Sequence, residues 1–423
     1  MTIFFMVLFV CLFLSIPVAL SLALPSMIVL FQQGTPFSIV GQKLFGSLDS
    51  TALLAIPFFI LAGNMMSTGG ISKRLVNFCN TLVGKSYGGL ATVTIVACMF
   101  FAAVSGSGVA TCAAIGGIMI GAMEKEGYNK AWAAGTTAAA AQIGVIIPPS
   151  IPMVLYGVAV NVSISDLFLA GFLPGILIGI SLILVAKLFS KKHNYYGGKK
   201  STAKEKLIAL KNAFWAILMP VIILGGIYGG IFTPTEAAIV AAVYAFVVGA
   251  LIHRELKIKD VIKAFHDSAI TLGSIMLILS AAGLFAYVMT INQVPAIVSN
   301  LVINMTDNKY VYLLLVNLLL FVVGMFFDTA PAIIVLSPIL LPAAVALGVD
   351  PVHFGIIMVC NLAAGMVTPP FGVTLFAAAQ IAKINYEQML RYVIVYIGIL
   401  FMDVMLITYI PAISLLLPNL FRS

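Results

Sequence analysis

Apolar residues run in long unbroken stretches along this chain, and polar or Gly/Pro clusters separate them near residues 3–31, 50–66, 88–123, 130–160, 167–187, 212–231, 236–252, 264–290, 310–346, 353–381 and 392–415. A helix crossing a bilayer needs roughly 20 apolar residues, so most of these stretches predict one span each. Two are too long for a single helix. The first, 88–123, is interrupted by Ser105-Gly106-Ser107-Gly108, and the second, 310–346, by Asp328-Thr329-Ala330-Pro331. Each interruption is either a turn that sends the chain back or a passing irregularity in a crossing rod.

Charge separates the two readings, because cytoplasmic loops carry the Lys/Arg excess of a membrane protein. If both long segments fold back as re-entrant hairpins, the N-terminus is cytoplasmic and the C-terminus lies outside. Lys73, Arg74, Lys85, Lys125, Lys130, eight lysines from Lys187 to Lys211, four basic residues from Arg254 to Lys263, Lys383 and Arg391 then lie on the cytoplasmic side, 19 of 22 in all. Only Lys43, Lys309 and Arg422 lie outside. If both segments cross instead, 6 are inside and 16 outside. The hairpin reading is the expectation.

Composition agrees with a chain working inside a bilayer. Of 423 residues, 62% are apolar and 9% charged, with a mean hydropathy of +1.15, far from the quarter or so of charged residues in soluble domains. The net charge of +8 is a loop property and not a nucleic-acid footprint. Cys11, Cys79, Cys98, Cys112 and Cys360 show no C-x-x-C spacing and read as small core residues. Thr2 to Phe31 has neither a basic leader nor a small-residue cleavage site, and so predicts a retained first helix. The basic stretch around 187–211 reads as a solvated linker that sits against anionic lipid headgroups.

The chain also repeats itself. At an offset of 221 residues, Phe100 falls on Phe321, Ser107 on Asp328, Gly127 on Gly348, Gly144 on Gly365, and Pro148-Pro149 on Pro369-Pro370. Residues 1–187 and 236–423 therefore read as two copies of one unit, with 188–235 as the connecting loop and linking helix. The charge count orients the copies oppositely. An all-α membrane protein with an inverted repeat, two re-entrant hairpins and two Pro-Pro broken helices has the organisation of a secondary transporter.

Main chain that leaves the helix inside hydrocarbon is tolerated only where it lines a cavity or binds something. Proline frees the carbonyl four residues earlier, so the breaks predict available oxygens at Gly144, Val145, Gly365 and Met366. Neutral oxygens, hydroxyls and a carboxylate suit a hard cation such as Na⁺. Ser105, Ser107, Gly144 and Pro148 are grouped as one candidate cation site, and Asp328, Thr329, Gly365 and Thr368 as the other. Asp328 is a functional candidate by its depth, where a bound Na⁺ would neutralise it; the alternatives are a protonated structural acid and a proton carried where Na⁺ is placed. Helix N-termini at the breaks favour an anionic substrate. Asn64, Gln142 and Asn361 could bind it or bridge helices, and Ser150, Pro149, Pro369 and Pro370 stand at the breaks beside it. The plainer alternative is that Pro-Pro only kinks and Gly-Ser only permits close packing. Glu236, in T-P-T-E, reads as an acid at a helix start, and Asp403 has no evident role.

Enzymatic readings find no support: a rhomboid-type serine motif, paired protease aspartates and a phosphate-binding G-x-x-x-x-G-K-[ST] are all missing from the sequence. Five runs carry a resemblance: A-I-P-F-F-I-L-A-G-N-M-M at 55–66, V-S-G-S-G at 104–108, I-P-P-S-I-P at 147–152, G-I-F-T-P-T-E at 230–236 and V-T-P-P-F-G at 367–372. With them the chain resembles the large membrane subunit of TRAP transporters, the tripartite ATP-independent periplasmic transporters of bacteria, most of all that of sialic-acid systems. The resemblance implies an elevator-type fold of the ion-transporter superfamily in the inner membrane and two Na⁺ sites at the two clusters. It also implies a separate small four-helix membrane subunit and a periplasmic substrate-binding protein. The implied cargo is a carboxylate, N-acetylneuraminate first, with a C4-dicarboxylate, another sugar acid or a proton-coupled organic anion as alternatives.

Overall fold

A computed structural model describes residues 1–83, 85–197, 201–305 and 308–422; Lys199 and Lys200 of the basic stretch lie outside the described residues. The chain is almost wholly helical. Its first part comprises α1 (Thr2–Phe13), α2 (Val18–Gln32), α3 (Phe37–Gly46), α4 (Ala55–Thr68) and α5 (Ile71–Val83). The predicted single first helix is thus two: Pro17 has no N–H to continue α1 and instead precedes α2, with Ser15 in the left-handed region at the turn. Helix α5 was not expected, because its polar face, with Lys73, Arg74 and Asn77, hides it from a search for apolar runs.

Next come α6 (Gly89–Ser105), α7 (Gly108–Lys125), α8 (Lys130–Ala141), α9 (Ile151–Val160) and α10 (Ile164–Lys192). The linking part is α11 (Ala203–Tyr228) and α12 (Pro234–Val247). Most of the basic stretch is therefore helix and not solvated linker: α10 runs on to Lys192, and α11 starts at Ala203 behind a Thr202–Glu205 capping box. The same device starts α12, where the Glu236 carboxylate accepts from Thr233 N at 2.8 Å and Glu236 N donates to Thr233 Oγ1 at 3.3 Å.

The last part contains α13 (Ile258–Ile291), α14 (Val294–Met305), α15 (Lys309–Phe326), α16 (Thr329–Ala346), α17 (Pro351–Gly365), α18 (Val373–Ala382), α19 (Glu387–Tyr409) and α20 (Ala412–Arg422). Among the described residues, eight helical stretches are long and apolar enough to cross a bilayer.

Both long apolar segments fold back on themselves. Thr94 Oγ1 of α6 meets Met123 Sδ of α7 at 3.5 Å, and Tyr312 Oη of α15 donates to the carbonyl of Leu340 in α16 at 2.7 Å. These partners are 29 and 28 residues apart, which in one continuous helix would separate them by about 40 Å. The turn between α6 and α7 depends on Gly106, whose φ is +61°, a conformation costly for any residue with a Cβ.

The four-helix order recurs: α6, α7, α8, α9 correspond to α15, α16, α17, α18. The Pro148-Pro149 and Pro369-Pro370 bonds, both cis, occupy equivalent breaks. The two units interlock, with α9 packed on α16 and α18 packed on α7 and α8. Around this body lie α1 to α5 and α11 to α14, joined to it chiefly by α5 and α4 on α6 and by α13 and α14 on α16. All five cysteines are buried and free. Asp403 is buried in α19 and accepts from Ser181 Oγ at 2.8 Å.

Candidate functional site

Each hairpin tip is tied to the Pro-Pro break of its own unit. Ile151 N donates to Gly106 O at 3.3 Å, and in the second unit Gly372 N donates to Met325 O at 3.5 Å. The two tips then meet at one cavity of about 550 Å³. Its walls include Asn64 from α4, Ser105 and Ser107 from tip one, Asp328 and Thr329 from tip two, and Thr271 from α13. With Val145 and Met366, seven of the residues predicted from sequence are therefore brought together.

Tip one is a cluster of neutral oxygens. Ser105 Oγ lies 2.9 Å from Thr111 Oγ1, and Thr111 Oγ1 donates to Ser107 O at 2.8 Å. Gly144 closes over them: a Cβ there would stand 2.7 Å from Ser107 O and collide with Thr111 Oγ1. Pro148 is buried in the adjoining break. Carbonyl and hydroxyl oxygens are the donor types a hard cation takes, and the cluster holds no counter-charge that would favour a divalent ion. Thr111 was missed in sequence, although its position one helical turn after Ser107 would have found it. If this cluster takes Na⁺, Thr111→Val, which keeps the shape and removes the hydroxyl, should weaken Na⁺ activation of transport about tenfold at a stability cost of only about 1 kcal/mol.

At tip two, Asp328 caps α16, its Oδ1 accepting from Thr329 N at 2.6 Å and from Thr329 Oγ1 at 3.1 Å. No salt bridge reaches Asp328 among the described residues. Gly365 lies against Gly324 of α15, and Thr368 Oγ1 donates to Ala364 O at 2.8 Å. The units are not chemically equal: the positions matching Ser105 and Thr111 are Phe326 and Ala332, and Ser107 is matched by the carboxylate of Asp328. Among the described residues no group of three or more His, Cys, Asp or Glu could hold a metal.

Several expectations are corrected. The carbonyls of Val145, Gly365 and Met366 are not bare: Val145 O accepts from Ser150 Oγ at 2.6 Å, Gly365 O from Thr368 N at 2.8 Å, and Met366 O from Thr374 Oγ1 at 2.9 Å, although a carbonyl oxygen has two lone pairs and one such bond does not exclude a cation. At Val145 and Met366 a hydroxyl, from Ser150 and Thr374 respectively, stands in for the N–H that the break removes. Ser150 is thus occupied in its own break and does not line the cavity. Asn361 does not reach it either, because its Nδ2 donates to Asn317 Oδ1 at 2.7 Å and joins α17 to α15. Gln142, Pro149, Pro369 and Pro370 also stand outside the lining, with Pro370 O accepting from Tyr386 Oη at 3.1 Å. Asn64 both lines the cavity and bridges helices, donating to Ser268 Oγ of α13 at 2.8 Å. The cavity's α13 wall, with Thr271 and Ser274, was missed; the i, i+3 spacing of Ser268, Thr271 and Ser274 marks that face in the sequence.

Comparison with known proteins agrees with this architecture. A solved structure of the Alcanivorax borkumensis YdaH transporter superposes with a TM-score of 0.65 at 14% identity, covering 88% of this chain and 87% of that one, which speaks to the fold alone. An isethionate TRAP transporter permease, DctMQ, of Oleidesulfovibrio alaskensis is 44% identical over 95% of this chain; the chain spans 63% of that relative's length. A C4-dicarboxylate TRAP large permease, DctM, of Pseudomonas aeruginosa is 41% identical, covering 89% of this chain and 88% of the relative. A sialic acid TRAP large permease, SiaM, of Vibrio cholerae is 37% identical, covering 97% and 96%. Residues 5–413 match the family described as tripartite ATP-independent periplasmic transporter, DctM component. With its folded-back hairpins, its paired Pro-Pro breaks and this match along nearly its whole length, the chain belongs to the DctM family of TRAP transporter large permease subunits.

Proposed function

We propose that this permease couples the entry of Na⁺ to the import of a small organic anion across the bacterial inner membrane. The observation that carries the proposal is the meeting of both hairpin tips, one with a hydroxyl cluster and one with a carboxylate that no salt bridge reaches among the described residues, at a single cavity. Oxygens at the tips would take the cations as cargo. The N-terminus of α7 borders the same space through Gly108 and Val109 and would favour an acid group on the solute, whereas at α16 Asp328 takes the first amide. Cation charge at the tips would strengthen that attraction, so that solute binds best when Na⁺ is loaded.

The two units are proposed to be inverted in the membrane, with the hairpins re-entrant, the N-terminus cytoplasmic and the C-terminus periplasmic, as the charge count favours. The interlocked body of α6 to α10 and α15 to α20 would move as one piece against the surrounding helices, carrying the cavity from one face to the other in elevator fashion. A small membrane subunit and a periplasmic binding protein, as in the tripartite systems whose family this chain joins, would complete the machine. Relatives named for isethionate, C4-dicarboxylates and sialic acid share an acidic solute, and that class is the proposal; sialic acid has no advantage over a C4-dicarboxylate.

Uptake by proteoliposomes containing the chain and its small subunit, with binding protein outside, tests this reading. Na⁺ imposed outside should drive accumulation of a labelled acid. Equal accumulation driven by a pH gradient in K⁺ medium would replace Na⁺ with a proton on Asp328. Running N-acetylneuraminate and succinate in parallel separates the cargoes.

A further inference from the structure

Gln142 and Thr374 come from opposite units, and each belongs to a break. Gln142 opens the 3-10 turn before Pro148-Pro149, and Thr374 lies in the first turn of α18 after Pro369-Pro370. Both are fully buried. Gln142 Nε2 donates to Thr374 Oγ1, which donates in turn to Met366 O, one residue after Gly365. Met366 lines the cavity. The other end of Gln142 faces tip one: its Oε1 is buried without a hydrogen-bond partner, and a Cβ on Gly108 would stand 3.6 Å from that oxygen and 3.6 Å from Thr374 Cγ2. Gly108 immediately follows Ser107.

The repeat supplies a control within the same chain. The positions matching Gln142 and Thr374 in the other unit are Ala363 and Met153, both buried. The fold therefore packs this junction without a polar pair on one side and keeps one on the other. A buried amide oxygen left unpaired is not a device for stability, and it lies where a small movement of the tip would meet it.

We propose that Gln142 and Thr374 are positioning residues that couple the two cation sites, so that loading tip one pre-forms tip two. Closing Ser105, Ser107 and Thr111 around a cation shifts Gly108 against Gln142. The amide passes that shift through Thr374 to Met366 and Gly365, which lies against Gly324 beside tip two. The inference rests on the two-cation reading above and adds the route by which the sites cooperate.

Equilibrium binding of radioactive sodium to the purified permease with its small subunit in nanodiscs, with choline holding ionic strength constant, tests it. The unaltered protein should bind two ions with a Hill coefficient of about 1.5 to 2. Gln142→Leu and Thr374→Val should still bind two ions but with a coefficient of about 1, and Thr374→Ser should restore the steep curve. Wild-type steepness in both Gln142→Leu and Thr374→Val overturns the inference. So does loss of one bound ion in Thr374→Val with its melting temperature unchanged, since Thr374 would then act as a ligand. A non-cooperative curve in the unaltered protein overturns the coupling but leaves the two-cation reading standing. No sodium binding at all overturns both.

Discussion

Asp328→Ala is expected to reduce Na⁺-driven uptake on the order of 100-fold, with the protein still inserted in the membrane. The side chain has two separable tasks. As the cap of α16 it accepts from Thr329 N, and losing such a cap costs about 1 kcal/mol. As the proposed cation ligand it would supply the one formal charge among the residues grouped at tip two, and hydrogen bonds to charged groups, worth roughly 1.5–3 kcal/mol each, set a scale of ten- to hundredfold. Asp328→Asn distinguishes the tasks because an amide oxygen caps as well as a carboxylate does. The account expects Asn to restore the melting temperature and not the transport. Normal uptake by Asp328→Asn would make Asp328 a cap only. Ser107→Ala probes tip one less sharply, because Ser107 contributes its backbone carbonyl as well as its hydroxyl.

Gly365→Ala is expected to be nearly as damaging, through the backbone and not through chemistry. A Cβ on Gly365 would lie 2.5 Å from both Cα and C of Gly324 and 3.0 Å from its carbonyl oxygen. No side chain is available to move aside, so α15 must separate from α17, and α15 ends at the second tip. Overpacking of this kind costs about 1–3 kcal/mol in ordinary cores, and here the same displacement shifts Asp328. A lowered melting temperature together with at least tenfold slower uptake is the expected result. Gly398→Ala serves as the control, since nothing lies within 4 Å of the Cβ it would add and alanine is the better helix former. Similar behaviour of the two variants would mean that the close approach of α15 and α17 does not hold the tip.

Much of this arrangement was legible in the sequence because its causes are local. Gly106 between two serines, Pro148-Pro149 and Pro369-Pro370 state in a few residues that the backbone turns or breaks, and the offset of 221 residues pairs those statements. What sequence reading missed depends on partners far along the chain. Nothing near Gln142 announces Thr374, and nothing near Asn361 announces that Asn317 has claimed it. The bonds to the carbonyls of Val145 and Met366 are local, from Ser150 and Thr374 across each break, and were missed because a broken helix does not fix which nearby hydroxyl turns back. Helix α5 and the outer turns of α10 and α11 were lost for a different reason: charged residues on the exposed side of a helix have the composition of a loop. The early break at Pro17 was overlooked because the apolar run continues across it.

The claim on which the rest depends is that the two units face opposite sides of the membrane, and labelling of two single cysteines tests it directly. Glu126 ends the return arm of the first hairpin, and Ala346 ends the return arm of the second; both are exposed, while the five native thiols are buried and give little background. In intact cells whose inner membrane is reached from the periplasm, a membrane-impermeant maleimide should label Ala346→Cys and leave Glu126→Cys untouched until the membrane is opened. Labelling of both cysteines from the same side, before permeabilisation or only after it, would contradict the inverted arrangement.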